Sequence, residues 1–231
     1  MTITVHHLQV SQSERIVWLC EELGLDYKLV LHQRAPVFSP QAIKDLNPLG
    51  AAPILEDDSF GPKLTLAESG AIAEYLIHKH GNGRLYLPPS HPNYADFLYW
   101  WHLSNGNIQP VIGRVLTSSR IKAVDGADDA GVKATKERLD IMLRHVNDRL
   151  SKVPWLAGDE FTVADIMTLF SFSTMRTFIP IDLTGYDGLV TWMKRCSERP
   201  AYQRSREKGD ADNGPYLTAE TPDLFPPLRG R

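Results

Sequence analysis

Asn47-Pro48-Leu49-Gly50-Ala51-Ala52-Pro53-Ile54-Leu55 carries the chain from a turn into a strand. Asn-Pro followed by glycine punctuates the backbone, and Pro53 can open a strand where its missing N–H needs no ladder partner. Local sequence leaves the Ala52–Pro53 bond open between trans, the commoner form, and cis. A cis bond would turn the N–H and carbonyl of Ala52 outward, where a peptide-like ligand could pair with them as an added strand does.

Upstream of this turn, a short helical stretch is predicted from about Pro40 to Leu46 and a strand from Tyr27 to Leu31. Before them, Ile16, Leu19, Cys20 and Leu23 recur at helical spacing with Gly24 as the stop. The β-branched run from Thr2 to Leu8 predicts the first strand. Downstream, two short strands are predicted at Pro53 to Glu56 and Lys63 to Leu66. A helix follows from Ser69 to about His80, with Ile72, Tyr75 and Leu76 inward. The order β-α-β-α-β-β-α describes a layered α/β unit whose first two strands are parallel.

Beyond Gly81-Asn82-Gly83 and the Pro88-Pro89-Ser90-His91-Pro92 cluster, strand signals fade and the chain becomes all-helical. A long helix is predicted from about Asn93 to Ala123. Phe97, Trp100, Trp101, Ile108, Val111, Ile112 and Val115 lie on its buried side, and Pro110 is a kink. Leu139, Met142, Leu143, Val146 and Leu150 mark another helix. The expected division is residues 1–82 as the α/β domain, 92–208 as the helical domain and 209–231 as a proline-containing tail, either poorly ordered or draped over the surface.

Hydrophobic residues at 42% and charged residues at 23% fit a globular chain, and a net charge of -3 gives no field for nucleic acid or an anionic membrane. A small ligand is the better expectation. The two cysteines, Cys20 and Cys196, have neither CxxC nor metal-ligand spacing, no metal is expected, and Cys20 falls on a buried stripe. With no apolar run long enough to span a bilayer and no leader pattern after Met1, a cytoplasmic protein is expected.

Two further segments carry candidate chemistry. Ser69 lies where a strand gives way to a helix, so free N–H groups and the dipole there could receive a carboxylate while Glu68 holds an ammonium; Ser69 equally fits a plain helix cap. In Ser11-Gln12-Ser13-Glu14, a hydroxyl at a helix start could donate to a thiol's sulfur and favour the thiolate. Lowering a thiol by two pKa units takes ~2.7 kcal/mol. The same four residues also fit a capping box closed by Glu14.

Together these segments resemble the glutathione transferase family, in particular its serine-type, theta-like fungal and bacterial members. The resemblance rests on Ser11-Gln12 with Arg15, on Leu49-Gly50-Ala51-Ala52-Pro53 and on Glu68-Ser69-Gly70-Ala71-Ile72. In the second half it rests on Trp155 to Asp165, where Thr162 and Asp165 form a capping box, and on Trp192 and Arg199-Pro200-Ala201-Tyr202.

It implies a thioredoxin-like domain and a helical domain, with glutathione as co-substrate. Ser11 would activate the thiol, with Ser13 as the fallback; Ala52 before cis-Pro53 would pair with the cysteinyl unit, and Glu68 with Ser69 would anchor the γ-glutamyl end. Theta-like relatives often place a lysine where Ala51 stands, so the glycine carboxylate is left to Gln33, Arg34 or Lys44. An electrophilic or hydrophobic acceptor would meet His102, Asn105 and Gln109 between the domains. The family further implies a homodimer, with peroxidase or disulfide-reducing activity, or a non-catalytic binding role, as alternatives to conjugation.

Overall fold

The computed structural model describes residues 2–115, 129–214 and 216–228. The chain forms two compact units: Met1–Pro88 with Cys196–Pro215 and Pro227–Arg231, and Pro89–Arg195 with Tyr216–Pro226. The first unit holds β1 (Ile3–Leu8), α1 (Glu14–Leu23), β2 (Tyr27–His32), α2 (Gln41–Leu46), β3 (Ile54–Asp57), β4 (Leu64–Ala67) and α3 (Ser69–Lys79). Its sheet runs β2-β1-β3-β4. β1 and β2 are parallel, as a helical crossover requires, while β3 is antiparallel to both β1 and β4.

Side chains alternate across the sheet. Leu8 and Ile54 face Ile43, Ala52 and Leu46 on the α2 side. Val5 and His7 point to the opposite face, both fully buried. Gly24 ends α1 at φ 64, and its N–H reaches back to the carbonyls of Cys20 and Glu21.

In the second unit, α4 (Tyr94–Leu103) leads into a π-turn over Ser104–Ile108, and residues 109–115 are helical. The irregularity predicted at Pro110 sits one turn earlier. Proline has no N–H for the fourth carbonyl back and its ring crowds that oxygen, so the preceding turn widens and the Gln109 N–H bonds to Ser104. Residues 116–123 of the predicted helix lie outside the described residues. Then come α5 (Asp129–Leu150), α6 (Val163–Phe172) and α7 (Asp187–Ser197).

Every residue of α6 is buried. Its expected capping box is formed: Thr162 accepts from Ala164 N–H, and the Asp165 carboxylate accepts from Thr162 N–H. Asp165 also accepts from the Trp192 indole at 2.9 Å and from Leu156 N–H at 3.0 Å.

The last helix, α8 (Pro200–Gly209), returns to the first unit and packs on α1. Tyr202 stands edge-on to Trp18 at 5.0 Å, Arg199 pairs with both oxygens of Glu22, and Arg204 reaches Glu21 at 3.0 Å. Of the two arrangements expected for the tail, the draped one is present over 216–226. Buried Arg176 donates to the carbonyls of Thr218, Ala219 and Glu220, and Phe225 N–H bonds to Thr177. Among the described residues, no helix is long and apolar enough to cross a membrane.

Candidate active site

The sheet's register decides which residues can meet. His6, Ile54 and Ala67 stand in line across β1, β3 and β4, and Leu8 pairs with His32 at the end of β2. The chain therefore leaves β1 toward Ser11, enters β3 from Ala52-Pro53, leaves β4 toward Glu68-Ser69 and leaves β2 toward Gln33, all at one end of the sheet. The three motif segments, far apart in sequence, share that end.

Backbone geometry is unusual there. The Ala52–Pro53 bond is cis. Gly50, at φ 64, takes a left-handed turn that suits glycine, and Asn47 ties the approach down by donating to Ala51 O at 2.9 Å. Glu68 has φ 74, uncommon for a side-chain-bearing residue, and is exposed. Glu68 is the N-cap of α3; buried Ser69 is therefore not the helix cap that was one of its two readings, and its Oγ receives Arg15 Nη1 at 3.4 Å. Arg15 also reaches Gln12 Oε1 at 3.2 Å, linking the first segment to the third.

At the β1–α1 turn, Ser11 and Ser13 are both buried, with their hydroxyl oxygens 2.7 Å apart. The capping box open to this segment is not what holds it. Ser11 Oγ accepts from Ser13 N–H at 3.2 Å, one residue short of the position a capping box requires, and Glu14 pairs with Arg206 at 3.1 Å. Val10 has φ 54, an outlier for a β-branched residue. Both its peptide groups are held: its N–H by Asp210 at 2.8 Å and its carbonyl by Arg34 at 2.7 Å. Such over-determination is what a strained backbone needs in order to persist.

Behind the serines lies an array absent from the sequence-based candidates. His7 Nδ1 is 2.8 Å from Ser13 Oγ, and His7 Nε2 is 2.9 Å from Asp210 Oδ2. Burial raises the Asp210 carboxyl, but the His7 hydrogen bond, the charges of His7 and Arg206 and the Val10 N–H outweigh it and hold it below the ordinary carboxylate value. Asp210 lies 203 residues from His7, and no spacing rule finds such a pair. The one available signal is a pair of histidines, His6 and His7, at the end of a β-branched strand.

The chain fits the family model for the glutathione S-transferase N-terminal domain over residues 5–84 and that for the C-terminal domain over residues 109–200. It is 30% identical to glutathione S-transferase 3 of Schizosaccharomyces pombe over 89% of this chain and 87% of that one. It belongs to the glutathione S-transferase family. The likeness extends at 29% identity to the disulfide-bond oxidoreductase YfcG of Escherichia coli, over 86% of this chain and 92% of the relative. A crystal structure of a glutathione S-transferase from Actinobacillus pleuropneumoniae matches with a TM-score of 0.80 at 28% identity, over 94% of this chain and 99% of that one.

In this glutathione S-transferase the remaining candidates are spread between the units. Gln33 and Lys44 are exposed on the first unit, and the Lys44 stem lies over Gly50, where an added Cβ would sit 3.3 Å from its Cγ. Arg34 is directed to backbone, donating to the carbonyls of Gln9, Val10 and Val37. His102, Asn105 and Gln109 belong to the second unit. His102 is exposed and stacks on Trp101 at 5.5 Å, and Asn105 and Gln109 are half-buried at either side of the π-turn. Both cysteines are buried, and burial, with Glu21 adding to it and Lys208 opposing, pushes the Cys20 thiol up. That agrees with core packing for Cys20.

Proposed function

We propose that this chain is a serine-type glutathione transferase whose first unit binds the tripeptide across the sheet end where β1, β3 and β4 converge. Ser11 is the catalytic hydroxyl that stabilises the thiolate. Ala52, preceding Pro53, pairs its backbone with the cysteinyl unit, and Glu68 with Ser69 receives the γ-glutamyl end. Lys44 and Gln33, exposed at the same end, take the glycine carboxylate. The observation that carries this reading is the register placing His6, Ile54 and Ala67 in line, because it brings the three motifs to one end of the sheet. The thiolate attacks an electrophilic carbon or a peroxide oxygen of an acceptor held by His102, Asn105 and Gln109. The protein works in the cytoplasm as a homodimer.

Replacing Ser11 with Ala tests the assignment. Turnover with aryl halide, epoxide and peroxide acceptors is expected to fall by about 10²-fold or more, with glutathione affinity by calorimetry nearly unchanged. Undiminished turnover moves the role to Ser13 or to backbone N–H groups. The likeness to a disulfide-bond oxidoreductase favours a second reading, glutathione-dependent disulfide reduction without a protein thiol. Assaying a small disulfide beside the conjugation acceptors separates the two, and turnover confined to the disulfide selects the second.

A further inference from the structure

We propose that Ser11, Ser13 and His7 form a buried proton path that delivers the proton of the glutathione thiol to His7, where Asp210 holds the imidazolium. The inference rests on the glutathione reading above.

Hydrogen accounting fixes its direction. An ionised Asp210 can only accept, so His7 Nε2, 2.9 Å away, carries a hydrogen. In the neutral ring Nδ1 is then a bare acceptor, and Ser13 supplies the hydrogen aimed at it across 2.8 Å, a shorter reach than its other acceptor, Leu8 O at 3.1 Å. With that hydrogen committed, Ser13 Oγ accepts: from Leu8 N–H at 3.0 Å, and through its other lone pair from Ser11, 2.7 Å away. The single hydroxyl hydrogen of Ser11 thus points inward, to Ser13 Oγ or to Leu8 O, also at 2.7 Å. What Ser11 presents to an incoming thiol is a lone pair, which can accept S–H but cannot donate to a thiolate.

One concerted shift converts the array. The thiol proton moves to Ser11 Oγ, the Ser11 hydrogen to Ser13 Oγ and the Ser13 hydrogen to His7 Nδ1. S–H and two O–H bonds break, while two O–H bonds and one N–H bond form. No electron is transferred, and the products are thiolate and imidazolium. The three hydrogen bonds along the path are then reversed: His7 donates to Ser13, Ser13 to Ser11, and Ser11 to the sulfur.

Charges of both signs act on the imidazolium: carboxylates favour it and cations oppose it. Asp210 is in direct contact, and Arg206 lies 3.5 Å from its Oδ2 and 3.1 Å from Glu14 on α1. From the β2 side, His32 and Arg34 are the other titratable or charged groups acting on the pair. Gly209 lies against the ring, where an added Cβ would come 3.1 Å from Nε2. His7 and Asp210 never touch the sulfur; they are positioning residues acting through Ser11.

The test counts protons. Glutathione is added to the intact protein in weakly buffered solution near neutral pH. Thiolate is read by its ultraviolet absorbance and released protons by an indicator dye, with S-methylglutathione as the thiol-free control. The wild-type protein is expected to form thiolate without releasing a matching proton. Asp210→Asn can still accept from Val10 N–H but donates toward Nε2, placing the ring hydrogen on Nδ1. It is expected to lower kcat on the order of tenfold or more, leave KM for glutathione within about twofold, and release one proton for each thiolate formed. His7→Gln should behave alike and serves if the first variant does not fold. One proton released per thiolate by the wild-type protein overturns the path, as does full turnover in Asp210→Asn. Neither heat nor thiolate on adding glutathione to the wild type overturns the glutathione reading itself, and the path with it.

Discussion

His6 and His7 are consecutive, yet the sheet's pleat sends them to opposite faces with different partners. His6 meets His32 at 3.1 Å and Glu56 at 3.3 Å, while His7 meets Ser13 and Asp210. The His7 ring is held at both nitrogens, so it has little room to yield to a new neighbour. Gly209→Ala would place a methyl 3.1 Å from Nε2. It is expected to cost about 1–3 kcal/mol in urea unfolding through overpacking, and an unchanged midpoint would show that the ring is not so confined. Candidate residues were legible where local pattern carried the information. Ser11, Pro53 and Ser69 each sit at a strand–helix or turn–strand junction whose chemistry a short window displays. His7 looked like one more strand residue, because its partner is a carboxylate contributed from the far end of the chain.

α1 shows the same limit at the scale of an element. Its stripe Ile16, Leu19, Cys20 and Leu23 was readable from spacing, but Val17 and Trp18 are buried too. Periodicity reports one apolar face; here α8 covers another, held by ion pairs from Arg199, Arg204 and Arg206 to Glu22, Glu21 and Glu14. Asp210, just past α8, ties this helix to β1 through His7 and to the turn through Val10. Its carboxyl is lower in the folded state, so its stabilisation is present above the unfolded value of about 3.9 and is lost as pH falls through the lower folded value. Asp57, held at about 2 by the hydrogen bonds from Ser59, His80 and Tyr75 that outweigh its burial, adds in the same direction. The urea midpoint is therefore expected to drop as pH falls from about 4 toward 2, with a shallower drop in Asp210→Asn. Equal pH dependence in the two proteins would remove Asp210 from the account.

For the whole molecule, element order was legible because strand and helix periods alternate cleanly up to residue 82 and then settle into helices. Two features were not. The widened turn at Ser104–Ile108 reflects a proline acting backward along its helix, and Thr218, Ala219 and Glu220 are anchored by Arg176, a buried guanidinium that no sequence window marks as a clasp. The family's usual assembly predicts a solution mass by ultracentrifugation of twice the 26.0 kDa chain; a sedimenting species of single-chain mass would contradict it. The return of residues 196–215 to the first unit also bears on synthesis. Chains emerge from the ribosome at about 5–20 residues per second, so the first eighty or so residues wait on the order of ten seconds for α8 and Asp210. Until then Trp18 has no Tyr202 beside it and His7 no carboxylate, and the nascent amino-terminal half is exposed to chaperones and proteases in a form that the finished protein never shows.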